Sequence, residues 1–257
     1  MPDLHLRLHD EVSGEALPQP EITEDEALHI LRAAEITTAT LVPWGSNYTF
    51  AVALEVEDRQ DHMAIYKPMR GERPLWDFPV HTLYLREHAA YLLSKRLGWG
   101  IVPPTVVRDG PHGIGSLQLY IEPAAEREED YEFWGQQRIE IERMVLFDHI
   151  TNNADRKLSH CLLSVDGRIW GIDHGLTFNT DPKLKTVLWQ YVGQPIDADL
   201  LRDLQALCAD ESCVRGELSQ HLTTAELDAL FDRTRTLLAL EHFPQLRPDR
   251  NIPYGWW

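Results

Sequence analysis

The sequence has little cysteine and no long apolar run, and each shortage excludes a class of protein. Its 257 residues include three cysteines, an odd number with no pair in C-x-x-C spacing. This pattern gives poor support to a disulfide framework or a structural zinc site and fits a reducing compartment. No stretch approaches the roughly 18 consecutive apolar residues that a membrane span needs. Met1–Asp10 has no apolar core of the kind found in signal peptides, so we expect a cytoplasmic protein.

Basic residues are also scarce. The chain has 24 Lys and Arg against 41 Asp and Glu, which gives a formal net charge of -17. Such a surface repels phosphate backbones and anionic lipid headgroups, so we expect no nucleic-acid partner and no stable membrane association. The length allows one large domain or two lobes that share a cleft.

Strand-like patterns dominate the first half of the chain. Thr23 and Glu26 form a capping-box pattern that predicts a short helix reaching about Ala34. Alternating and β-branched segments separated by turn residues predict a sheet, and one longer segment has helical periodicity. The predicted strands are Ile36–Val42, Tyr48–Glu57, His62–Lys67, Ile101–Arg108 and Ile114–Ile121, and the predicted helix is Val80–Leu97, closed by Gly98.

The second half has mostly helical periodicity. The acidic run Glu126–Glu132 marks the expected boundary between two lobes. The predicted parts are an N-terminal arm (1–22), a β-rich N-lobe (23–125) and a mainly helical C-lobe (126–257). Within the C-lobe we predict a helix at Ile139–Ile150, a hairpin at Cys161–Ile172 and helices over Ile196–His242. An antiparallel sheet beside a helical half is an α+β fold.

Lys67 and Glu87 are candidates for one buried ion pair. Lys67 ends the third predicted strand, and taken alone it also fits an ordinary surface lysine. Glu87 falls inside the apolar stripe of the predicted helix, where a carboxylate needs a positive partner or hydrogen-bond donors. We interpret Lys67 as that partner; a pairing with Arg86, or a place at the edge of the stripe, is the alternative.

The densest group of polar residues lies in the loop Thr151–Ser159. A buried loop with so many polar groups needs a reason, because its backbone and side chains all require partners. Asp155 is a candidate proton acceptor. Arg156 and Lys157 either hold phosphate oxygens or brace a neighbouring carboxylate, and an ordinary exposed loop is the alternative.

A second acid follows the predicted hairpin. Asp173 stands at the end of a buried strand, in the sequence Ile172-Asp173-His174-Gly175. Mg²⁺ prefers a few hard oxygen ligands of this kind, with the remainder supplied by water and substrate phosphates. One hairpin separates Asp173 from Asp155, so we expect both carboxylates at one edge of a cleft.

Taken together, these residues resemble the kinase superfamily. A glycine-containing turn, a strand lysine, a helical glutamate, an Asn-x-x-Asp-Arg loop and an Ile-Asp-His-Gly strand end occur in the same order there. This version resembles the phosphatidylinositol 3- and 4-kinase-like branch, with HipA-type bacterial kinases and secretory Fam20 kinases, and most of all a group of actinobacterial proteins assigned to that branch. The resemblance covers roughly Trp44 to Gly193. It implies a two-lobed protein-kinase-like fold that binds ATP with Mg²⁺ or Mn²⁺.

The resemblance also implies a role for each candidate residue. Asp155 would orient or deprotonate the acceptor hydroxyl, with Arg156 and Lys157 beside it, and Asp173 would bind the metal that bridges the phosphates. The residues implied in nucleotide binding are Lys67 with Glu87 at the α- and β-phosphates, Gly45, Ser46 and Asn47 over the phosphates, and Gln118 and Tyr120 in a hinge beside the adenine.

His160 departs from the family pattern. Many members have an asparagine five positions after the catalytic aspartate, where it binds a second metal, and this chain has His160 there. Imidazole suits Mn²⁺ or Zn²⁺ better than Mg²⁺, so we expect a manganese preference or an altered activity. A hydrogen-bonding role outside the metal's ligands is the alternative. His149, His160 and His174 also suggest a metal-hydrolase cluster, but their spacing gives weak support.

Three functions remain open from the sequence. The first is a kinase that transfers the γ-phosphoryl of ATP to a protein or small-molecule hydroxyl. The second is a weak or inactive pseudokinase that serves as a nucleotide-binding regulatory module. The third is a nucleotidyl transferase on the same fold, since a fold does not determine its chemistry.

Overall fold

The computed structural model describes residues 22–43, 47–56, 59–124 and 131–254. The chain divides into two compact units. The first consists of the described residues up to Arg73 together with Pro104–Tyr120, and the second of Pro74–Pro103 together with the described residues from Ile121 onward. The predicted boundary run, Glu126–Glu132, lies largely outside the described residues, so a division at residue 125 stays a prediction.

The first unit is an antiparallel sheet preceded by a helix. Its strands follow the order β1-β2-β3-β5-β4. Their bounds are Glu35–Leu41 (β1), Phe50–Val56 (β2), Arg59–Pro68 (β3), Thr105–Gly110 (β4) and Gly113–Leu119 (β5), and helix α1 is Glu24–Ala33. All five predicted strands are confirmed. β4 begins after the predicted Ile101, because Pro103 and Pro104 lack the N–H that a ladder requires.

Helix α1 packs on β2, β4 and β5, on one face of this sheet. Its predicted capping box is formed, since Thr23 Oγ1 accepts from the N–H of Glu26 at 3.3 Å and Glu26 accepts from the N–H of Thr23 at 2.8 Å. Buried Val52, Leu54, Ala64, Tyr66, Val106 and Leu117 form the core beneath it. Strand alternation therefore places Lys67 on the opposite face of the sheet.

The second unit is mainly helical. Its elements are α2 (Leu83–Arg96), α3 (Tyr131–Trp134), α4 (Ile139–Thr151), the hairpin strands β6 (Cys161–Leu163) and β7 (Ile169–Gly171), α5 (Ala198–Ala209), α6 (Glu211–Leu218), α7 (Thr224–Leu240) and α8 (Pro248–Asn251). Helix α2 begins after the predicted Val80, because His81 has the left-handed φ of 62° that no helix interior adopts. The side chains of α4 from Met144 to Thr151 are all buried, and α7 packs on α4.

The fold is α+β, as predicted, with a five-stranded antiparallel sheet in one unit and most of the helices in the other. In the described part of the chain, no helix combines the length and apolar character required to cross a lipid bilayer.

Candidate functional site

The loop predicted to carry the chemistry begins where α4 ends. Asn152 adopts a left-handed conformation with φ 56°, which turns the chain out of the helix. Its side-chain Nδ2 donates to the carbonyls of Asn179 and Asp181 at 2.9 and 2.6 Å, and its Oδ1 accepts from the N–H of Lys183 at 2.9 Å. Asn152 therefore fixes the loop to the segment that follows Asp173.

Arg156 is fully buried and directs its donors inward. Its Nε and Nη2 each donate at 2.8 Å to a carboxylate oxygen of Asp148, and its Nη1 donates to the carbonyls of His160 and Ile172 at 2.8 and 3.2 Å. Burial acts to lower the pKa of Arg156, but the Asp148 carboxylate outweighs it and raises that pKa. Of the two roles predicted for Arg156, these contacts match the bracing of a carboxylate.

Asp148 is a residue that the sequence did not single out. It is buried on α4 and also accepts from Asn153 Nδ2 at 2.9 Å, while Asn153 Oδ1 accepts from the N–H of Asp155 at 3.0 Å. Asp148 thus joins Arg156 to the backbone of Asp155. Asp148 could have been identified from the sequence, because it is a carboxylate within the most apolar stretch of a helix. The same pattern identified Glu87.

Asp155 lies next to the ammonium group of Lys157 and is partly exposed. Its Oδ2 is 2.9 Å from Lys157 Nζ, and 22% of its side chain is accessible. Burial raises the pKa of Asp155, and the nearby Lys157 and His160 oppose that rise. A reachable carboxylate with a raised pKa is a stronger proton acceptor than an ordinary aspartate.

His160 connects the two predicted motifs. Its Nδ1 lies 2.8 Å from the carbonyl oxygen of Asp155. A carbonyl only accepts hydrogen bonds, so Nδ1 carries the proton and Nε2 of the neutral ring is an acceptor. Burial lowers the pKa of His160, with the Asp173 carboxylate acting against the shift. Nε2 is 3.3 Å from Asp173 Oδ2, so one cation could contact both atoms.

The three-histidine metal centre is not formed. No group of three or more His, Cys, Asp or Glu side chains is placed to hold a metal ion among the residues that the structure describes. His149 is instead packed against the ring of Phe243, and its burial lowers its pKa to about 4. His174 Nε2 lies 2.9 Å from Arg156 Nη2 and therefore accepts from it.

Glu87 is buried on α2, as predicted, with 3% exposure. One of its oxygens, Oε2, accepts from the N–H of His174 at 3.0 Å, directly after the metal candidate Asp173. The alternative partner Arg86 forms an ion pair with Glu226 instead. Lys67 belongs to the first unit, so its pairing with Glu87 stays a prediction.

The residues predicted to sit over the phosphates are only partly described. Gly45 and Ser46 lie outside the described residues. Asn47 Oδ1 accepts from the N–H of Arg73 at 2.9 Å, which fixes the β1–β2 connection to the segment after β3. Lys67 is half-buried near the end of β3, opposite Ser116 of β5.

The predicted hinge residues differ in their surroundings. Gln118 is buried within β5, and its Nε2 donates to Thr105 Oγ1 at 2.9 Å. Tyr120 follows β5, donates its N–H to the carbonyl of Met63 at 3.0 Å and is the last residue of the first unit. Tyr120 therefore lies where the chain passes from one unit to the other, whereas the side chain of Gln118 is engaged inside the sheet.

A stretch of extended chain runs beside the catalytic-loop candidate. The N–H of Lys185 donates to the carbonyl of Asn153 at 2.8 Å, and the N–H of Arg156 donates to the carbonyl of Lys185 at 3.0 Å. Helix α8 holds this stretch from outside, because the carbonyl of Asn251 accepts from the N–H of Thr186 at 2.9 Å. The position of Asp155 thus depends on chain that lies far along the sequence.

Comparison with solved structures identifies the class of fold. The Golgi casein kinase with Mn/ADP bound is 14% identical, with a TM-score of 0.55 over 88% of this chain and 80% of that one. Hydra Fam20 with sugar is 17% identical, with a TM-score of 0.59 over 91% and 93%. The proinflammatory kinase CtkA of Helicobacter pylori is 12% identical, with a TM-score of 0.51 over 79% and 91%. The chain has a protein-kinase-like fold.

Comparison of sequences identifies the family. No protein-family model matches the chain. Protein Rv2133c of Mycobacterium tuberculosis is 35% identical over 268 aligned residues, which cover 90% of this chain and 95% of the relative. The chain belongs to the same family as Protein Rv2133c.

Proposed function

We propose that this protein binds ATP with Mg²⁺ or Mn²⁺ and transfers the γ-phosphoryl group to a hydroxyl of a protein or small molecule. The main support for this proposal is that His160 contacts both the backbone of Asp155 and the carboxylate of Asp173 within a protein-kinase-like fold. The Mn/ADP bound to the Golgi casein kinase supports the choice of nucleotide and ion.

His160 Nε2 and Asp173 Oδ2 are the atoms that would hold the ion. Neighbouring ligands roughly 2.1 Å from an octahedral ion lie about 3 Å apart. The observed separation of 3.3 Å fits that requirement with little adjustment. An imidazole in the ligand set favours Mn²⁺ over Mg²⁺. When bound, the ion would neutralise charge on the phosphate oxygens, and these oxygens and water would complete its coordination.

Asp155 is the proposed proton acceptor for the hydroxyl that receives the phosphoryl group. Its raised pKa favours proton uptake, and Lys157 at 2.9 Å stabilises the carboxylate before the proton arrives. Arg156 contributes at a distance, through Asp148 and Asn153. The proposed nucleotide-binding residues are Gly45, Ser46, Asn47, Lys67, Glu87, Gln118 and Tyr120.

Calorimetric titration with Mn²⁺·ATP, followed by an assay of γ-phosphoryl transfer, tests both roles. Asp173→Asn removes a ligand charge and is expected to weaken nucleotide–metal binding at least about 10-fold. Asp155→Asn is expected to leave binding nearly unchanged and to slow transfer by roughly 100-fold or more. Asp199→Asn, at an exposed position on α5, is the matched control. Failure of the unaltered protein to bind any nucleotide–metal pair would contradict the proposal.

His160 also supports a second candidate function. An imidazole where related kinases carry an asparagine is compatible with nucleotide binding without transfer, or with transfer of the nucleotidyl group. ATP labelled at the γ- or the α-phosphate distinguishes these outcomes: γ-label in the product indicates a kinase, α-label a nucleotidyl transferase, and binding without either a pseudokinase. Membership of the phosphatidylinositol 3- and 4-kinase-like branch stays a prediction.

A further inference from the structure

Two consecutive residues of α2 hold both ends of the turn that follows Asp173. Glu87 Oε2 accepts from the N–H of His174 at 3.0 Å, and Arg86 Nη1 donates to the carbonyl of Thr177 at 2.6 Å. Within the turn, Thr177 Oγ1 donates to the carbonyl of His174 at 2.6 Å. The turn is therefore fixed by helix α2 as well as by its own hydrogen bonds.

This turn requires external support because its backbone is strained. Asp173 and Phe178, at its two ends, both have a φ of 60° although neither is glycine. Non-glycine residues remain in the left-handed region only where the surrounding contacts over-determine them. The contacts made by Arg86 and Glu87 are consequently part of what sets the direction of the Asp173 carboxylate.

Arg86 is in turn held by a carboxylate from another helix. Its Nη2 forms an ion pair with Oε1 of Glu226, and both side chains are buried. The other oxygen of Glu226 accepts from the N–H and hydroxyl of Thr223 at 2.8 and 2.9 Å, which closes the capping box of α7. Loss of the Glu226 charge would leave the guanidinium of Arg86 buried without its counterion, a state that folded proteins avoid.

We propose that Arg86 and Glu226 are positioning residues that fix the Asp173 carboxylate, although neither belongs to the proposed metal or nucleotide ligands. Glu226 on α7 holds Arg86 by an ion pair, and Arg86 holds the carbonyl of Thr177 in the strained turn. The expected effect on metal affinity rests on the proposed function. The expected ordering of the turn does not depend on it.

Glu226→Gln tests this role because it keeps the size of the side chain and removes its charge. Thr223→Ala is the matched control: it removes a cap from the same helix and leaves the Arg86–Glu226 pair intact. Hydrogen exchange, followed by mass spectrometry, is measured on the segment Asp173–Phe178 without ligand. We expect exchange there to accelerate about 10-fold or more in Glu226→Gln relative to Thr223→Ala. We also expect Mn²⁺·ADP affinity to fall roughly 10-fold in Glu226→Gln alone.

Equal exchange of this segment in the two variants, or uniform acceleration across the second unit, would overturn the inference. If Glu226→Gln does not fold, Arg86→Lys gives the same test, since lysine keeps the charge but does not span Glu226 and Thr177 together. If the unaltered protein does not bind Mn²⁺·ADP, the proposed function fails, and the exchange measurement still decides whether Arg86 and Glu226 order the turn.

Discussion

Among single side chains, His160 has the clearest chemical consequence. His160→Asn replaces an imidazole nitrogen by an amide oxygen, which suits Mg²⁺ better. We expect the preference for Mn²⁺ over Mg²⁺, measured as the ratio of the two dissociation constants with ADP present, to fall by about 10-fold. His29→Asn, at an exposed position on α1, is the control. An unchanged ratio would show that His160 is not a ligand.

The buried pair of Arg156 and Asp148 is expected to dominate the stability of the catalytic-loop candidate. Asp148→Ala leaves a guanidinium fully buried without its carboxylate, and such a change costs about 3–5 kcal/mol. Urea unfolding measures this loss. Asp249→Asn breaks an exposed pair with Arg247 and is expected to leave stability within experimental error. A small effect at Asp148 would mean that water or another group compensates Arg156.

The sequence identified several buried charges but not all of their partners. Glu87 and Asp155 stood out because a carboxylate on an apolar stripe, or in a crowded polar loop, is costly without a partner. Local patterns do not reveal which partner it takes. Arg86 meets Glu226 across 140 residues, a contact that depends on how α2 and α7 pack.

At the scale of helices and strands, replacing a glycine by alanine is expected to lower the free energy of unfolding at Gly115 and to raise it at Gly216. A Cβ on Gly115 would lie 2.4 Å from the carbonyl oxygen of Lys67 and 2.7 Å from Cα of Pro68, so Gly115→Ala forces β3 and β5 apart. We expect a loss of roughly 1–3 kcal/mol. Gly216 on α6 has nothing within 4 Å of such a Cβ, and Gly216→Ala is expected to gain about 0.5–1 kcal/mol. Urea titration of both variants decides, and changes of equal sign would contradict this expectation.

Element type was predictable because periodicity and capping chemistry are local. The capping box at Thr23 and the helix over α4 formed where the pattern placed them. The predicted start of α2 was wrong because His81 has a left-handed backbone conformation, which a helix does not continue through. An apolar stripe shows that a helix such as α2 packs but does not show which elements it packs against, so the predicted division into lobes stays a prediction.

For the molecule as a whole, His149 predicts a loss of stability in acid. Its pKa is lowered by burial to about 4 in the folded state, against about 6.5 when unfolded. As the pH falls from about 6.5 towards 4, the unfolded chain takes up this proton first, so folding stability decreases. Between pH 7.5 and pH 5 the unaltered protein should lose about 2 kcal/mol more than His149→Gln. Urea unfolding at both pH values measures the difference, and equal losses would contradict it.

The contact between Asn251 and Thr186 has a consequence for the order of synthesis. Helix α8 holds the stretch beside Asn153 and Arg156, so the stretch that supports the loop carrying Asp155 has its full set of backbone contacts only after α8 has been made. Helix α4 and the following hairpin leave the ribosome about a hundred residues earlier and wait for that contact. A nascent chain therefore holds the proposed catalytic aspartate without this support while the residues from Arg156 to Asn251 are added.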